Sequence, residues 1–415
     1  MVPIRGKWDV SWAPMPSPPR SSAGPGPLAG VVVADFSRVL AGPYATMLLA
    51  DMGATVVKVE RPDGGDDTRS WGPPWSDGLS TYFQAVNRNK RSVACDLSAP
   101  GGRQAALELC ARADVVVENF RAGTMDRLGL GPADVLRANP RVVYCSITGF
   151  GPGAGADLPG YDILLQAVGG LMSITGEAGG DPTKVGVAVV DVIAGLHALA
   201  GILAALRHRD ATGQGQHLQV NLLTSLLSGL VNQVSAYLNA GTVPRALGNR
   251  HPSIAPYEVV RAKDRPLVLA VGNDRQFAAL CDELGVGQLA TDPRFASNAG
   301  RVEHREELVA LLDQALATAA ADRWVPRLAA RGVPCGTVNG IDEAVELATR
   351  LGLEPSSRCR TTAGASRDRR ATRSGSPRPR RPTGSPRLCG TRCCPSRRSW
   401  PCCRPRTASP VRDAP

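Results

Sequence analysis

Five apolar runs recur across the first 150 residues: "GVVVAD" (30–35), "TVVKVE" (55–60), "SVACDL" (92–97), "DVVVENF" (114–120) and "RVVYCSIT" (141–148). Most are separated by stretches long enough to be helices, the first carrying Met47, Leu48, Leu49 and Met52 and the second spanning Gly101–Ala113. Strands that are apolar throughout, not on alternate residues, are buried on both faces. Parallel neighbours need a crossover, usually a helix. The pattern therefore predicts an α/β chain built on a parallel sheet covered on both sides.

Ligands of such sheets sit beyond the carboxyl ends of the strands. That places Arg61, Asn119 and Phe120, and Gly149–Gly151 on the ligand side. A G-x-G-x-x-G fingerprint is missing there, since "VLAGPY" follows the first strand, which disfavours a dinucleotide-dependent dehydrogenase. No G-x-S-x-G nucleophile motif occurs. The five histidines (His197, His208, His217, His251 and His304) form no metal-ligand spacing, so no metal is expected.

The remainder divides by pattern. Residues 1–27 are rich in Pro, Ser and Gly and predict a disordered extension without a targeting segment. Residues 28–225 form the large domain. Residues 226–350 are a linker and a smaller α+β domain, with "GNRHPSIAPYEVV" (248–260) read as a loop. Residues 351–415 hold sixteen arginines, no lysine, three acids and six of the eleven cysteines. This tail carries +13 of the net +11, leaving the body at −2, so the basic balance implies no nucleic-acid partner. It lacks periodicity and reads as an aberrant, out-of-frame or disordered segment, with an Arg-rich nucleic-acid arm and a zinc site as the competing readings. The five widely spaced body cysteines are those of a reduced, cytoplasmic protein.

One acid stands out. "VGVAVVDVIAGLHALAGILAAL" (185–206) is long enough to span a bilayer but contains Asp191, and a central acid in lipid is costly. A buried helix is the expectation, with no membrane partner. Strand-like "KVGVAVV" feeding a small-residue helix places Asp191 at a strand-to-helix junction. A carboxylate partly removed from water there is a stronger nucleophile than a hydrated one. Asp162, in "YDILLQAV", is the second candidate. For both, the plain alternative is helix capping.

The segments "DFSRVLAGPYATMLLADMGATVVKVERP", "NRNKRS", "VENFRAGTMDRLGL", "ITGFG", "YDILLQAVGGLMSITG", "PTKVGVAVVDVIAGLHALAGILAAL" and "GVPCG" occur in order over 28–354. In these the chain resembles the family III CoA-transferases (CaiB/BaiF type). The resemblance implies a large domain on a Rossmann-like parallel sheet, a smaller α+β domain, an interlocked homodimer and no tightly bound cofactor, with coenzyme A and acyl-CoA as substrates beside a small carboxylic acid. It implies transfer of CoA to that acid with Asp191 as nucleophile, through an aspartyl anhydride and an aspartyl-CoA thioester, and Asp162 and Tyr161 beside it. It carries CoA contacts onto Arg61, Asn119, Phe120, Arg127 and Lys90, surface ion pairing being the alternative for the last two. Gly248, Asn249, Arg250 and His251 take the place of the family's mobile substrate loop. α-Methylacyl-CoA racemases share the fold, but have His where this chain has Tyr161. Leu40 replaces the Gln of formyl-CoA transferases, which argues against formate and oxalate, and the 248–257 loop resembles members that use succinyl-CoA. An inactive CoA-binding protein with a frameshifted end is the remaining alternative.

Overall fold

The computed structural model describes residues 26–353. Nearly all of the proposed N-terminal extension and of the Arg-rich tail lies outside these residues. The described chain falls into two units. One runs up to Leu165 and resumes over Ala188–Gly229; the other comprises Gln166–Val187 and the residues from Leu230 onward.

The first unit holds a six-stranded, all-parallel sheet. Its strands are β1 (Val32–Asp35), β2 (Thr55–Glu60), β5 (Lys90–Ala94), β6 (Val115–Glu118), β7 (Val143–Thr148) and β8 (Gln216–Asn221), in the order β5-β2-β1-β6-β7-β8. A two-stranded hairpin, β3 (Trp75–Ser76) and β4 (Leu79–Ser80), lies outside it. Central pairing sets Val33 against both Val56 and Val115, and Val117 against Cys145. Val115, Val116, Val117 and Val143 are completely buried, as runs apolar on both faces require. Counted within the sheet, the strand order is third, second, first, fourth, fifth, sixth. The direction of winding therefore reverses between β1 and β6, and the crevice for a ligand opens at that point.

Helix α1 (Ala41–Asp51) follows β1, α2 (Thr81–Asn87) precedes β5, α3 (Pro100–Arg112) precedes β6, and the short α4 (Thr124–Arg127) and α5 (Pro132–Ala138) precede β7. Helix α6 is Asp162–Val168, and α7 (Val189–Thr212) leads into β8 and α8 (Leu222–Gly229). Helices α7 and α1 cross where Gly195 meets the Ala41 carbonyl. A β-carbon on Gly195 would lie 2.7 Å from that oxygen, so a side chain there would force the helices apart. The "KVGVAVV" segment forms no strand. Residues 181–188 are irregular, and their backbone is tied by the Gln166 carboxamide, which accepts from Val185 N and donates to Val187 O. Asp191 thus enters from a loop, and no strand-to-helix junction is present.

Within the second unit, β9 (Tyr257–Arg261), β10 (Pro266–Ala270) and β11 (Cys335–Thr337) form an antiparallel sheet, order β11-β10-β9. Helices α9 (Val231–Ala240), α10 (Asp274–Glu283), α11 (Asn298–Glu303), α12 (Arg305–Leu316), α13 (Ala321–Ala330) and α14 (Ile341–Arg350) complete it. The core gathers Leu267, Leu269, Phe277, Leu280, Leu308, Leu312 and Trp324. Residues 257–260, read from sequence as part of a loop, belong to β9, where Glu258 and Val260 alternate inward and the strand pairs with β10.

Candidate active site

Asp191 occupies the third residue of α7, in the first turn where backbone N–H groups lack intrahelical partners. Its own side chain does not cap the helix. Asp162 does: its Oδ1 accepts from the backbone N–H of Val190 (2.8 Å) and of Asp191 (3.2 Å). The cap reaches across 28 residues, so no local pattern announced it. It is made possible by a glycine contact. A β-carbon on Gly160 would sit 2.7 Å from the Gly149 Cα, so only two glycines let the strand end and the Tyr161–Asp162 turn touch backbone to backbone.

Burial, and after it the charge of Asp162, pushes the Asp191 carboxyl up from 3.8 to about 7. The same two acids act on Tyr82, in the first turn of α2. Burial first, then Asp191, Asp162 and Asp66, raise its phenol to about 12, and its ring packs edge-on to Trp71. Tyr82 was not singled out from sequence. Tyr161, which was, has its side chain largely exposed.

At the sheet reversal, the loop after β1 is fixed by side chains from elsewhere. The Asn119 carboxamide accepts from the Arg38 N–H and donates to the Arg38 carbonyl, both at 2.7 Å. The Lys58 ammonium donates to the Ser37 carbonyl (2.8 Å), and the Asp66 carboxylate accepts from Val39 N–H. Val39 has φ 67°, a conformation disfavoured for a β-branched side chain and worth about 1–3 kcal/mol of strain. The Arg38 guanidinium lies 4.9 Å from the centre of the Phe120 ring. Arg61 and Arg38 both face Asp67, at 2.5 and 3.6 Å. Glu118, buried at the end of β6, accepts from Phe120 N–H at 2.9 Å, and burial pushes its carboxyl up. Arg61, Asn119 and Phe120 are therefore brought together, with Arg38 as a partner that sequence reading missed.

Lys90 is placed differently. It is 4% exposed, and its ammonium spends all three donors on Asp35 Oδ2, the Pro43 carbonyl and Asn87 Oδ1. Neither a phosphate contact nor a surface pair is its role; it balances the interior. Asp35, Lys58, Asp66 and Lys90 form two buried ion pairs, Lys58–Asp66 at 2.9 Å and Lys90–Asp35 at 3.1 Å. Burial lowers Lys90 to about 8 against the pull of Asp35. Burial would raise Asp35, but Lys90, Lys58 and the Ser37 and Thr46 hydroxyls hold it below the usual range. Arg127 ends α4, exposed, with Nη2 donating to Thr124 Oγ1.

Gly248, Asn249, Arg250 and His251 belong to the second unit. Gly248 adopts φ 63° and donates its N–H to the Gly176 carbonyl. Asn249 is exposed. Arg250 faces Glu306 (3.4 Å) and Glu258 (3.7 Å), and His251 packs on Tyr257 and gives its carbonyl to Arg305. A cavity of about 500 Å³ borders Arg250 and His251. Among the described residues no cluster of His, Cys, Asp or Glu could hold a metal ion.

The family model described as CoA-transferase family III matches residues 28–373. A succinate–glutarate CoA-transferase from Agrobacterium fabrum is 45% identical over 324 residues, 76% of this chain and 81% of that protein. An acetyl-CoA:oxalate CoA-transferase from Acetobacter aceti is 42% identical over 324 residues, 78% of this chain and 83% of that protein. The crystal structure of a CAIB/BAIF family protein from Brucella suis superposes with a TM-score of 0.72 at 42% identity, covering 80% of this chain and 89% of that one.

Proposed function

The chain belongs to CoA-transferase family III, and on that premise we propose that it moves coenzyme A from an acyl-CoA to a free carboxylic acid with Asp191 as the nucleophile. The observation that carries the assignment is the state of Asp191: a largely buried carboxyl, raised to about 7, in a helical turn whose nearest N–H groups are already capped by Asp162.

An Asp191 oxygen attacks the thioester carbonyl. The C–S bond breaks, the CoA thiolate leaves, and an acyl–aspartyl anhydride remains. The thiolate then attacks the aspartyl carbonyl, releasing the donor acid and leaving an aspartyl-CoA thioester. The acceptor carboxylate displaces the thiolate from that thioester to form the second anhydride. Attack of the thiolate on the acceptor's acyl carbon gives the new acyl-CoA and regenerates Asp191. Every adduct is an anhydride or thioester, so each step exchanges one activated acyl group for another. Deprotonated Asp191 is required, and its weak solvation favours attack.

Arg61, Asn119 and Phe120 supply the CoA contacts in this reading, and Gly248, Asn249, Arg250 and His251 the acyl-side loop. Dicarboxylic acids of the succinate and glutarate type are the substrate class, supported by the names of two relatives at 45% and 43% identity. The protein acts as a cytoplasmic homodimer, with residues 28–225 and 226–350 as its large and small domains. Two features support this. The five described cysteines are free thiols. The α7 helix, apolar enough to cross a membrane, has only 44% of its apolar window buried within the chain, so a second copy would cover the rest. Sedimentation of the full chain reads the oligomeric state directly.

The test of the mechanism is succinyl-CoA with glutarate. Asp191→Asn abolishes exchange, and hydroxylamine added during turnover converts Asp191 alone to a hydroxamate, located by peptide mass. Exchange undiminished in Asp191→Asn removes Asp191 from the chemistry.

A further inference from the structure

We propose that Arg38 and Arg61 form a two-guanidinium clamp for a phosphate group of the acyl-CoA, and that Asp67 is the internal anion which this phosphate displaces. The inference rests on the CoA-transferase reading and deepens it.

Two cations converge on one carboxylate. Arg61 Nη2 lies 2.5 Å from Asp67 Oδ1, and Arg38 Nη1 lies 3.6 Å from Oδ2, too far for a hydrogen bond. The three side chains are 53%, 40% and 35% exposed, so an incoming ligand reaches them. Two neighbouring acids are committed elsewhere: Asp66 to Lys58, and Glu60 to Arg69. The group therefore keeps one positive charge in excess. Guanidinium forks suit phosphate oxygens better than an isolated carboxylate that satisfies only one of them.

Asp67 does not hold Arg38 in place. Both backbone polar groups of Arg38 are fixed by Asn119, the following residue is strained at φ 67° and anchored on Asp66, and the guanidinium rests over Phe120. Strain of this kind persists only where the surroundings over-determine it. The arginine is presented by the fold, at the sheet reversal where ligands of this architecture bind. Asp67 then has a definable effect: it screens the clamp when empty and competes with the phosphate when it fills.

Calorimetric titration of the full chain with CoA and with pantetheine, which lacks the phosphates, tests this. Asp67→Asn binds CoA about two- to fivefold more tightly, the range of a half-exposed ion pair removed. Arg38→Gln binds CoA about tenfold more weakly, the loss of one charge-assisted hydrogen bond. Pantetheine affinity is the same in all three proteins. Unchanged CoA affinity in Asp67→Asn, or an equal change for pantetheine, overturns the clamp while leaving the transferase reading intact. A native chain that binds no CoA overturns both.

Discussion

Asp191 stores instability that grows as pH rises from about 4 and levels off above 7, and replacing it by Asn should release it. In the unfolded chain the carboxyl ionises near 3.8; in the folded protein burial and Asp162 delay this to about 7. Between these values the folded state binds more protons than the unfolded state, so this residue's contribution to stability falls as pH rises and levels off above 7. The full span is worth about 4 kcal/mol. Residual solvent exposure and the field of the α7 N-terminus, which favours an anion by about 0.3–1 kcal/mol, reduce it. We take about 2 kcal/mol as the net penalty, hence a melting temperature about 4–8 °C higher for Asp191→Asn at about pH 8. Near pH 4 the folded carboxyl is neutral like the amide, and the gain vanishes. Differential scanning calorimetry of both proteins at the two pH values measures it. A gain equal at both values, or a variant less stable than wild type at the higher pH, refutes the account of how Asp191 is held.

Two other substitutions separate the devices around it. Asp162→Asn keeps an oxygen to cap α7 but removes the like charge, so the acid limb of the pH–rate profile, expected near 7, moves to lower pH; Asp162→Ala also loses the cap, with about 1 kcal/mol of stability, visible in urea melts. Gly160→Ala places a β-carbon 2.7 Å from Gly149 and displaces the Tyr161–Asp162 turn, so transferase activity falls by more than tenfold, about 1.4 kcal/mol or more of lost transition-state stabilisation; unchanged kcat/KM would show that the glycine contact does not position Asp162.

Sequence periodicity carried most of the sheet, because strands buried on both faces leave continuous Val-rich runs that need no context to interpret. It failed where tertiary contacts override local pattern. "KVGVAVV" has the composition of a strand, but its backbone is taken by the Gln166 carboxamide instead of a neighbouring strand. Lys90 lies in a basic motif, "NRNKRS", yet turns inward to Asp35. A clue was present: Asp35 and Lys58 sit inside otherwise apolar strands, and charges in such runs must be paired in the interior. What could not be read was which partner each takes, since Asp35–Lys90 and Lys58–Asp66 join positions that only the crossover connections bring together. Arg38 was hidden for a related reason. Nothing in "FSRVLAGP" distinguishes it until Asn119, 81 residues away, fixes its backbone.

The division of labour between the two aspartates separates helix capping from the role proposed for Asp191. A carboxylate that caps a helix has its oxygens occupied by N–H donors, which stabilise the anion and dull it as a nucleophile. Asp162 takes that position, with Val190 and Asp191 N–H on one oxygen. Asp191, three residues into the helix, keeps the favourable orientation of the first turn, and among the described residues its carboxyl accepts no hydrogen bond that would quench it, while burial limits its contact with water. The donors that would otherwise have lowered its basicity are spent on its neighbour. An acid in the middle of an apolar run is tolerated because a second acid, placed by two touching glycines, completes the helix end in its stead.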